Sequence, residues 1–242
     1  MRLFTEQSLA VGKTLTLATE QSHRLQKVMR ARVGEQLTLF NGRGGEYLGT
    51  ITTLSKKSAT LEVNEFVDVE RESPLAVTLI QGISRGNRMD YTIQKSVELG
   101  VSKIIPVATT RSMVKLDEQR QASRLDHWMG VIHHACEQCG RNKIPELNEP
   151  MALQDIASLD NIEQAYFLDT QSDLALSAAT PPIEACYIIT GPEGGFSDAE
   201  REWIRGLGVS AIKLGPRILR TETAALAALS VMQQLWGDLS GE

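Results

Sequence analysis

The chain has little cysteine, no long apolar run and no nucleotide-binding fingerprint, and each absence removes a class of protein. Three cysteines among 242 residues do not make a disulfide framework, so a reducing cytoplasm is the expected compartment. No apolar stretch approaches the ~20 residues needed to span a bilayer, and no membrane partner is expected. The N-terminal MRLFTEQSLAVGKTLTLA has short apolar stretches broken by Gly12 and Lys13 and does not read as a secretory signal. Neither G-x-G-x-x-G nor a P-loop is present, and there is no internal repeat or low-complexity tract.

A net charge of −5 argues at first against nucleic acid, but the charge is unevenly distributed. Residues 1–57 carry nine Lys/Arg against four Asp/Glu, whereas the remainder carries 16 against 26. Phosphate fields act locally, so a basic arm on an acidic protein can still hold RNA. Ordinary charge fluctuation accounts for the same numbers.

Hydrophobic patterning divides the chain in two. LTLF (37–40), GEYLGTITTL (45–54) and SATLEVNEFV (58–67) show partial alternation with turn signals at Asn41-Gly42 and Lys56-Lys57-Ser58, and HRLQKVMR (23–30) reads as a short helix. Short strands at this spacing suggest a small barrel, a form often used against nucleic acid. ERESP (70–74) is the expected boundary. Beyond it, LAVTLIQG (75–82), SKIIPVAT (102–109), QAYFLDT (164–170), EACYIITG (184–191) and VSAIKLG (209–215) read as strands. They alternate with helices over 87–100, 117–140, 152–158, 198–207 and 222–236, with Asn87 and Gly100 as start and stop signals of the first. Such alternation implies parallel βαβ units, with ligands at the carboxyl ends of the strands.

Four stretches carry chemistry. ITGPEGGFSDAE (188–199) is a glycine-rich strand-to-helix turn without a basic residue. Glu193 opposes a pyrophosphate, and Ser197 with Glu200 forms a capping box that satisfies the next helix internally. An adenosine or a sulfonium suits the turn better than a polyanion, and a tight turn with no ligand is the alternative. LGPRILRTETAALAAL (214–229) places Arg217, Arg220 and a Thr-Glu-Thr turn ahead of an alanine-rich helix. HHACEQCGRNKIPE (133–146) contains Cys136-x-x-Cys139, but a second ligand pair for zinc is missing and a redox pair normally opens a helix, so no metal is expected. Its Glu137, Gln138 and Arg141 form a polar cluster where an arginine can meet carbonyls or phosphate. SRGNRMD (84–90) and RSMVK (111–115) lie in a basic region, with Arg85 and Arg88 at the ligand-bearing edge, although a solvated helix face reads the same way.

Taken in order, SRGNRMDYTIQKSVELGVSKIIPV, ACEQCGRNKIPE, ITGPEGGFSDAE and LGPRILRTETAALAAL resemble the RsmE-type family of SPOUT-class RNA methyltransferases. The resemblance covers about residues 20–237 and implies a PUA-like β-barrel for RNA at 1–72 and an α/β trefoil-knot domain with a parallel sheet at 73–242. It implies S-adenosylmethionine as cofactor, N3 of a uridine in 16S ribosomal RNA (free or in the small subunit) as target, and a homodimer. The cofactor residues it implies are Leu168 on the first loop and Thr190, Gly191, Glu193, Gly194 and Gly195 on the second. The third loop supplies Leu214, Gly215, Ile218, Leu219, Arg220, Thr223 and Ala224. FLDT (167–170) is a variable version of the first loop.

Arg220 is the candidate to stabilise charge on the uracil or to hold a phosphate, and Glu222, or Glu137 of the partner subunit, to accept the proton. Arg24, Lys27, Arg30, Arg85, Arg88 and Arg141 are candidate RNA contacts. A non-catalytic RNA-binding module would leave both glycine loops idle, and a C-x-x-C metal or redox protein would explain residues 133–139 alone.

Overall fold

The computed structural model describes residues 1–112 and 118–241, with the side chains of 118–120 left undescribed. Residues 113–115 of the basic RSMVK stretch therefore lie outside the described residues. The chain divides into two compact units, one formed by 1–72 with 136–144 and the other by 73–135 with 145–242.

In the first unit, β1 (Arg2–Phe4), β2 (Thr14–Leu17), helix α1 (Thr19–Lys27), β3 (Gln36–Phe40), β4 (Glu46–Leu54) and β5 (Ala59–Val67) follow one another. The strands form one sheet in the order β1-β3-β4-β5-β2, antiparallel except for β1 on β3. Alternation sends Leu15 and Leu17, Leu37 and Leu39, and Leu61 and Val63 to one face, where they bury with Ile51 and with Leu25 of α1. Register shifts between Leu48 and Gly49 and between Ile51 and Thr53 bend the long β4–β5 pair, and the sheet curls into a half-barrel around this core. Strands β1 and β2 were not anticipated from the pattern. The helix expected over 23–30 lies at 19–27 instead, and Arg30 follows it with φ 54°.

Residues 136–144 are bound into this unit by polar contacts. The Glu137 carboxylate accepts the Phe4 N–H at 3.0 Å and pairs with Arg24 at 2.6 Å. Arg141, only 5% exposed, grips Glu72 with two hydrogen bonds. Fully buried Asn142 donates to the Val69 carbonyl and accepts from Arg2. Each buried charge thus has a partner, as low polarity demands.

The second unit contains β6 (Ala76–Gly82), α2 (Asn87–Glu98), β7 (Val101–Ala108), α3 (Glu118–Cys139), β8 (Glu146–Leu147), β9 (Met151–Ala152), β10 (Ala165–Leu168), β11 (Ala185–Thr190), α4 (Asp198–Gly206), β12 (Ser210–Ile212) and α5 (Thr221–Trp236). All the strand pairs are parallel, in the order β12-β10-β11-β6-β7-β8 with β9 also on β7. The chain steps outward from β6 to β7 and then returns to place β11 on the other side of β6, so strand order reverses there. That reversal opens a crevice at the carboxyl ends of β6, β10 and β11.

After edge strand β12 the chain comes back to the centre of the sheet. Helix α5 packs against β11, β6 and α2, burying Ala225, Ala228, Leu229 and Met232 against a face of α2 that includes Met89, Ile93 and Val97. The segment expected as a helix over 152–158 is a 3₁₀ turn at Leu153–Ser158, and β8 and β9 were not anticipated. Asn87 does not cap α2. Gly86 occupies that position with φ 53° and no side chain bonds the first turn.

Burial acts to raise the carboxyl group of Glu46, but Arg2 and Arg71 outweigh it and hold it below 4.5. A depressed folded value stabilises above the ordinary carboxylate range and is lost as pH falls through the folded value. Glu46→Gln should therefore weaken hydrogen-exchange protection across β3–β5 by about 1–2 kcal/mol at neutral pH, with the difference from wild type vanishing as the pH is taken below 4.5.

Candidate functional site

Strand ends and one helix start converge on a buried amide. Gln81, the last residue but one of β6, is fully buried. Its Nε2 donates to the Gly82 carbonyl at 2.9 Å, to Thr221 Oγ1 at 3.0 Å and to the Gly191 carbonyl at 3.3 Å. Its Oε1 accepts from Thr190 Oγ1 at 2.6 Å, and Thr221 Oγ1 donates to the Gly191 carbonyl at 2.6 Å. Buried polar groups hold when all are satisfied. This cluster ties β6, β11 and the first residue of α5 together. Gly82 makes the approach possible, because a Cβ there would lie 2.4 Å from the Pro192 nitrogen.

Around this clasp lies a cavity of about 450 Å³, within the usual size for a small-molecule site. One wall is the turn after β11. Thr190, Gly191, Glu193, Gly194 and Gly195 line it, over Phe196, which packs edge-on against Phe167. The opposite wall is the loop after β12, with Leu214, Gly215, Ile218, Leu219, Arg220, Glu222 and Ala224. Leu168 closes one end. Of the expected cofactor residues, Thr223 alone is absent from the lining; it is exposed on the helix start.

Glu193 does not aim its charge at an empty cavity. Its Oε1 accepts the Arg85 N–H at 2.8 Å and pairs with Arg88 at 3.0 Å. Burial acts to raise this carboxyl, but the Arg85 amide, the residue's own backbone N–H and Arg88 prevail and hold it below the usual range. The glutamate therefore secures the turn to the start of α2. Arg111 secures it on another side by donating to the Gly194 carbonyl at 2.9 Å. The expected capping box is present: Ser197 Oγ accepts from the Glu200 N–H and Glu200 accepts from the Ser197 N–H. Glu200 also accepts the Thr110 N–H at 2.7 Å, so the same carboxylate fixes the loop after β7.

The bonding of two carboxylates in the lining escapes the sequence pattern. Asp169, 3% exposed, accepts from Arg201 at 3.1 Å and from Arg205, which fixes the loop after β10 to α4. Glu222 Oε2 is buried with no hydrogen-bond partner among the described residues and sits in the lining. Arg220 is the N-cap residue of α5, is exposed and gives that helix no side-chain cap. The α5 first turn thus presents free amide donors and a carboxylate beside an arginine.

The structure gives Glu137 and Arg141 work other than that expected from sequence. Both are buried in the first unit and held in ion pairs, Glu137 with Arg24 and Arg141 with Glu72. Lys27, Arg30, Arg85 and Arg88 are exposed. Cys136 is buried, its thiol pushed up to about 12 by that burial, and its Sγ–H faces the Lys143 carbonyl. A thiol so protonated is a poor nucleophile at neutral pH.

Comparison with known proteins agrees with this architecture. A model of the RNA methyltransferase domain matches residues 71–233, and one of the RNA methyltransferase PUA domain matches residues 17–64. The chain is 33% identical to the ribosomal RNA small subunit methyltransferase E of Buchnera aphidicola, over 98% of this chain and 94% of that one. It superposes with a TM-score of 0.95 on a methyltransferase from Legionella pneumophila solved with its bound cofactor SAM, at 40% identity over 98% of each chain. A ribosomal RNA small subunit methyltransferase E from Neisseria gonorrhoeae, bound to S-adenosyl methionine, gives 0.91 at 39% identity over 98% of each chain. The parallel sheet with its returning C-terminal helix is a SPOUT-type methyltransferase fold, and the curled N-terminal sheet is PUA-like.

Thr221→Val keeps the shape of the clasp but removes its shared hydroxyl. The expected cost is about 1–3 kcal/mol of local stability, read as faster hydrogen exchange at the amides of residues 222–225. Unchanged exchange there would show that the clasp does not hold the helix start.

Proposed function

The chain belongs to the RNA methyltransferase family, and on that premise we propose that it transfers a methyl group from S-adenosylmethionine to N3 of a uridine in 16S ribosomal RNA. The observation that carries the reading is the cavity at the strand ends, with Arg220 and Glu222 in its lining and one Glu222 oxygen unpartnered among the described residues. S-adenosylmethionine fits the residues present. The walls combine glycine-rich backbone and apolar side chains with charged groups of both signs, among them Asp169, Glu193 and Arg217, and the glycine turn itself carries no P-loop lysine. Leu168, the Thr190–Gly195 turn and the Leu214–Ala224 loop would hold the cofactor.

When bound, that cofactor supplies a methyl group on a sulfonium, already activated for transfer. The protein's part is orientation and removal of one proton. Glu222 Oε2 would take the proton from uracil N3 and so free the N3 electron pair for the methyl group, and the cofactor would leave as a neutral thioether that keeps the electron pair of the broken carbon–sulfur bond. Arg220 stabilises the negative charge that develops on the uracil oxygens. A base inside a folded RNA has to leave its stack to reach such a cavity. Arg85 and Arg88 at the start of α2, with Lys27 and Arg30 in the first unit, hold phosphates by charge.

Residues 1–72, with 136–144 packed into the same unit, serve as the RNA-binding domain, and the rest of residues 73–242 as the methyltransferase domain. The protein works as a homodimer in the cytoplasm. Among the described residues no helix is long and apolar enough to cross a membrane.

Single-turnover methylation of 16S RNA tests the assignment. Arg220→Ala should slow it by about 10²-fold or more, and Glu222→Ala by about 10²–10⁴-fold, with cofactor affinity measured separately by calorimetry. Wild-type rates in both variants would overturn the roles given to these residues. Mass spectrometry of ribosomal RNA from cells lacking the protein should show one uridine without its N3 methyl group.

A further inference from the structure

A second cavity, of about 290 Å³, borders the start of α2, which also borders the first through Arg88. It is formed by residues 83–90, the strand-to-helix turn after β6, and by Arg124, His127 and Trp128 of α3. The two cavities share one turn of chain. Arg88 lines the first, Arg85 lines the second, and Glu193 of the first holds the Arg85 N–H.

The charges in this second cavity are incompletely matched. Arg124 Nη1 is buried from solvent and has no hydrogen-bond partner among the described residues. An enclosed guanidinium donor without an acceptor is costly, and a polar ligand would relieve that cost. Arg85 adds a second, exposed guanidinium in the lining, with no acidic partner among the described residues. The one carboxylate in the lining, Asp90, already faces His127 Nε2 at 2.9 Å. Gly86 is the N-cap of α2 and has no side chain to bond the amides of the first turn. Two arginines, amides without a side-chain cap and an occupied carboxylate suit an anion with several acceptor oxygens.

We infer that this second cavity binds a backbone phosphodiester of the substrate RNA, next to the nucleotide that enters the first cavity, with Arg124 as its buried contact. The inference rests on the methyltransferase reading, because only an RNA strand would occupy both cavities together. Arg124 then sets how the strand lies across the α2 start. It touches no reacting atom, and its effect appears in RNA affinity and not in cofactor affinity.

The test uses full-length protein and small ribosomal subunits from cells lacking it. Wild type, Arg124→Gln and Arg124→Lys are titrated with these particles over a series of salt concentrations, and with S-adenosylmethionine by calorimetry. Arg124→Gln should weaken particle binding about tenfold and lower the slope of log affinity against log salt by about one. Arg124→Lys should restore the slope, and all three proteins should bind the cofactor equally. Arg85→Gln, at an exposed position, should lower the slope again when tested alone. Unchanged affinity and slope in Arg124→Gln would overturn the inference, as would a loss of affinity without a change in slope. Binding of inorganic phosphate to wild type without RNA, abolished in Arg124→Gln, would assign the cavity to a free anion instead. A wild-type protein that binds S-adenosylmethionine but not the particles would overturn the substrate reading and this inference together. Particles methylated by wild type would separate a failure here from a failure of that reading.

Discussion

The carboxamide of Gln81 is the constraint on which the second unit depends. It sits where β6 ends, and it bonds to residues 110 and 140 positions further along the chain. Both walls of the larger cavity are referred to it, one through Thr190 and Gly191 and the other through Thr221. Apolar contacts alone would hold α5 against α2 and β11, yet would leave its rotation and height less defined, since hydrophobic attraction has no direction. The hydrogen bonds supply that direction, and the glycine at 82 lets the backbones come near enough to form them.

The carboxylates around the cavity divide by task. Glu193 joins the β11 turn to the start of α2, Glu200 joins α4 to the loop after β7, and Asp169 joins the loop after β10 to α4. Each accepts from a backbone N–H or an arginine belonging to another element, and for Glu193 and Glu200 those donors overcome burial to keep the acid ionised. Glu222 differs in having one oxygen enclosed and unbonded. Three acids build the walls and one is left over, which is why the chemistry is assigned to the fourth.

Local signals carried much of this structure. The runs LAVTLIQG and EACYIITG are continuous and apolar because β6 and β11 are covered on both faces. Ser197 and Glu200 cap α4 through a three-residue spacing that any reader of the chain can see. Long-range partners were beyond that reach. The three-residue strand β1 exists because β3 lies beside it, and nothing in RLF shows this. Asn87 has the chemistry of a cap, yet the chain turns at Gly86, and a remote glutamate, Glu193, takes the nearby amide. Arg141 and Glu137 look like a nucleic-acid contact until Glu72 and Arg24 are placed against them. Gln81 did leave a trace, since a lone amide in an apolar strand must find partners, but the sequence alone does not say which.

The pairing of β6 with β11 also governs when the second unit can form. Residues 76–82 wait for residues 185–190 before their strand has its central neighbour, and Thr221 closes the clasp later still. On a ribosome, the first unit's sheet has all its strands by residue 67, whereas the second unit's sheet has no middle until more than three-quarters of the chain has emerged. Contacts so distant along the chain make for slow assembly and leave β6 and β7 unshielded in the meantime. An enzyme of ribosome maturation thus has its catalytic unit completed only late in its own translation, with the segment that closes its site arriving after the sheet.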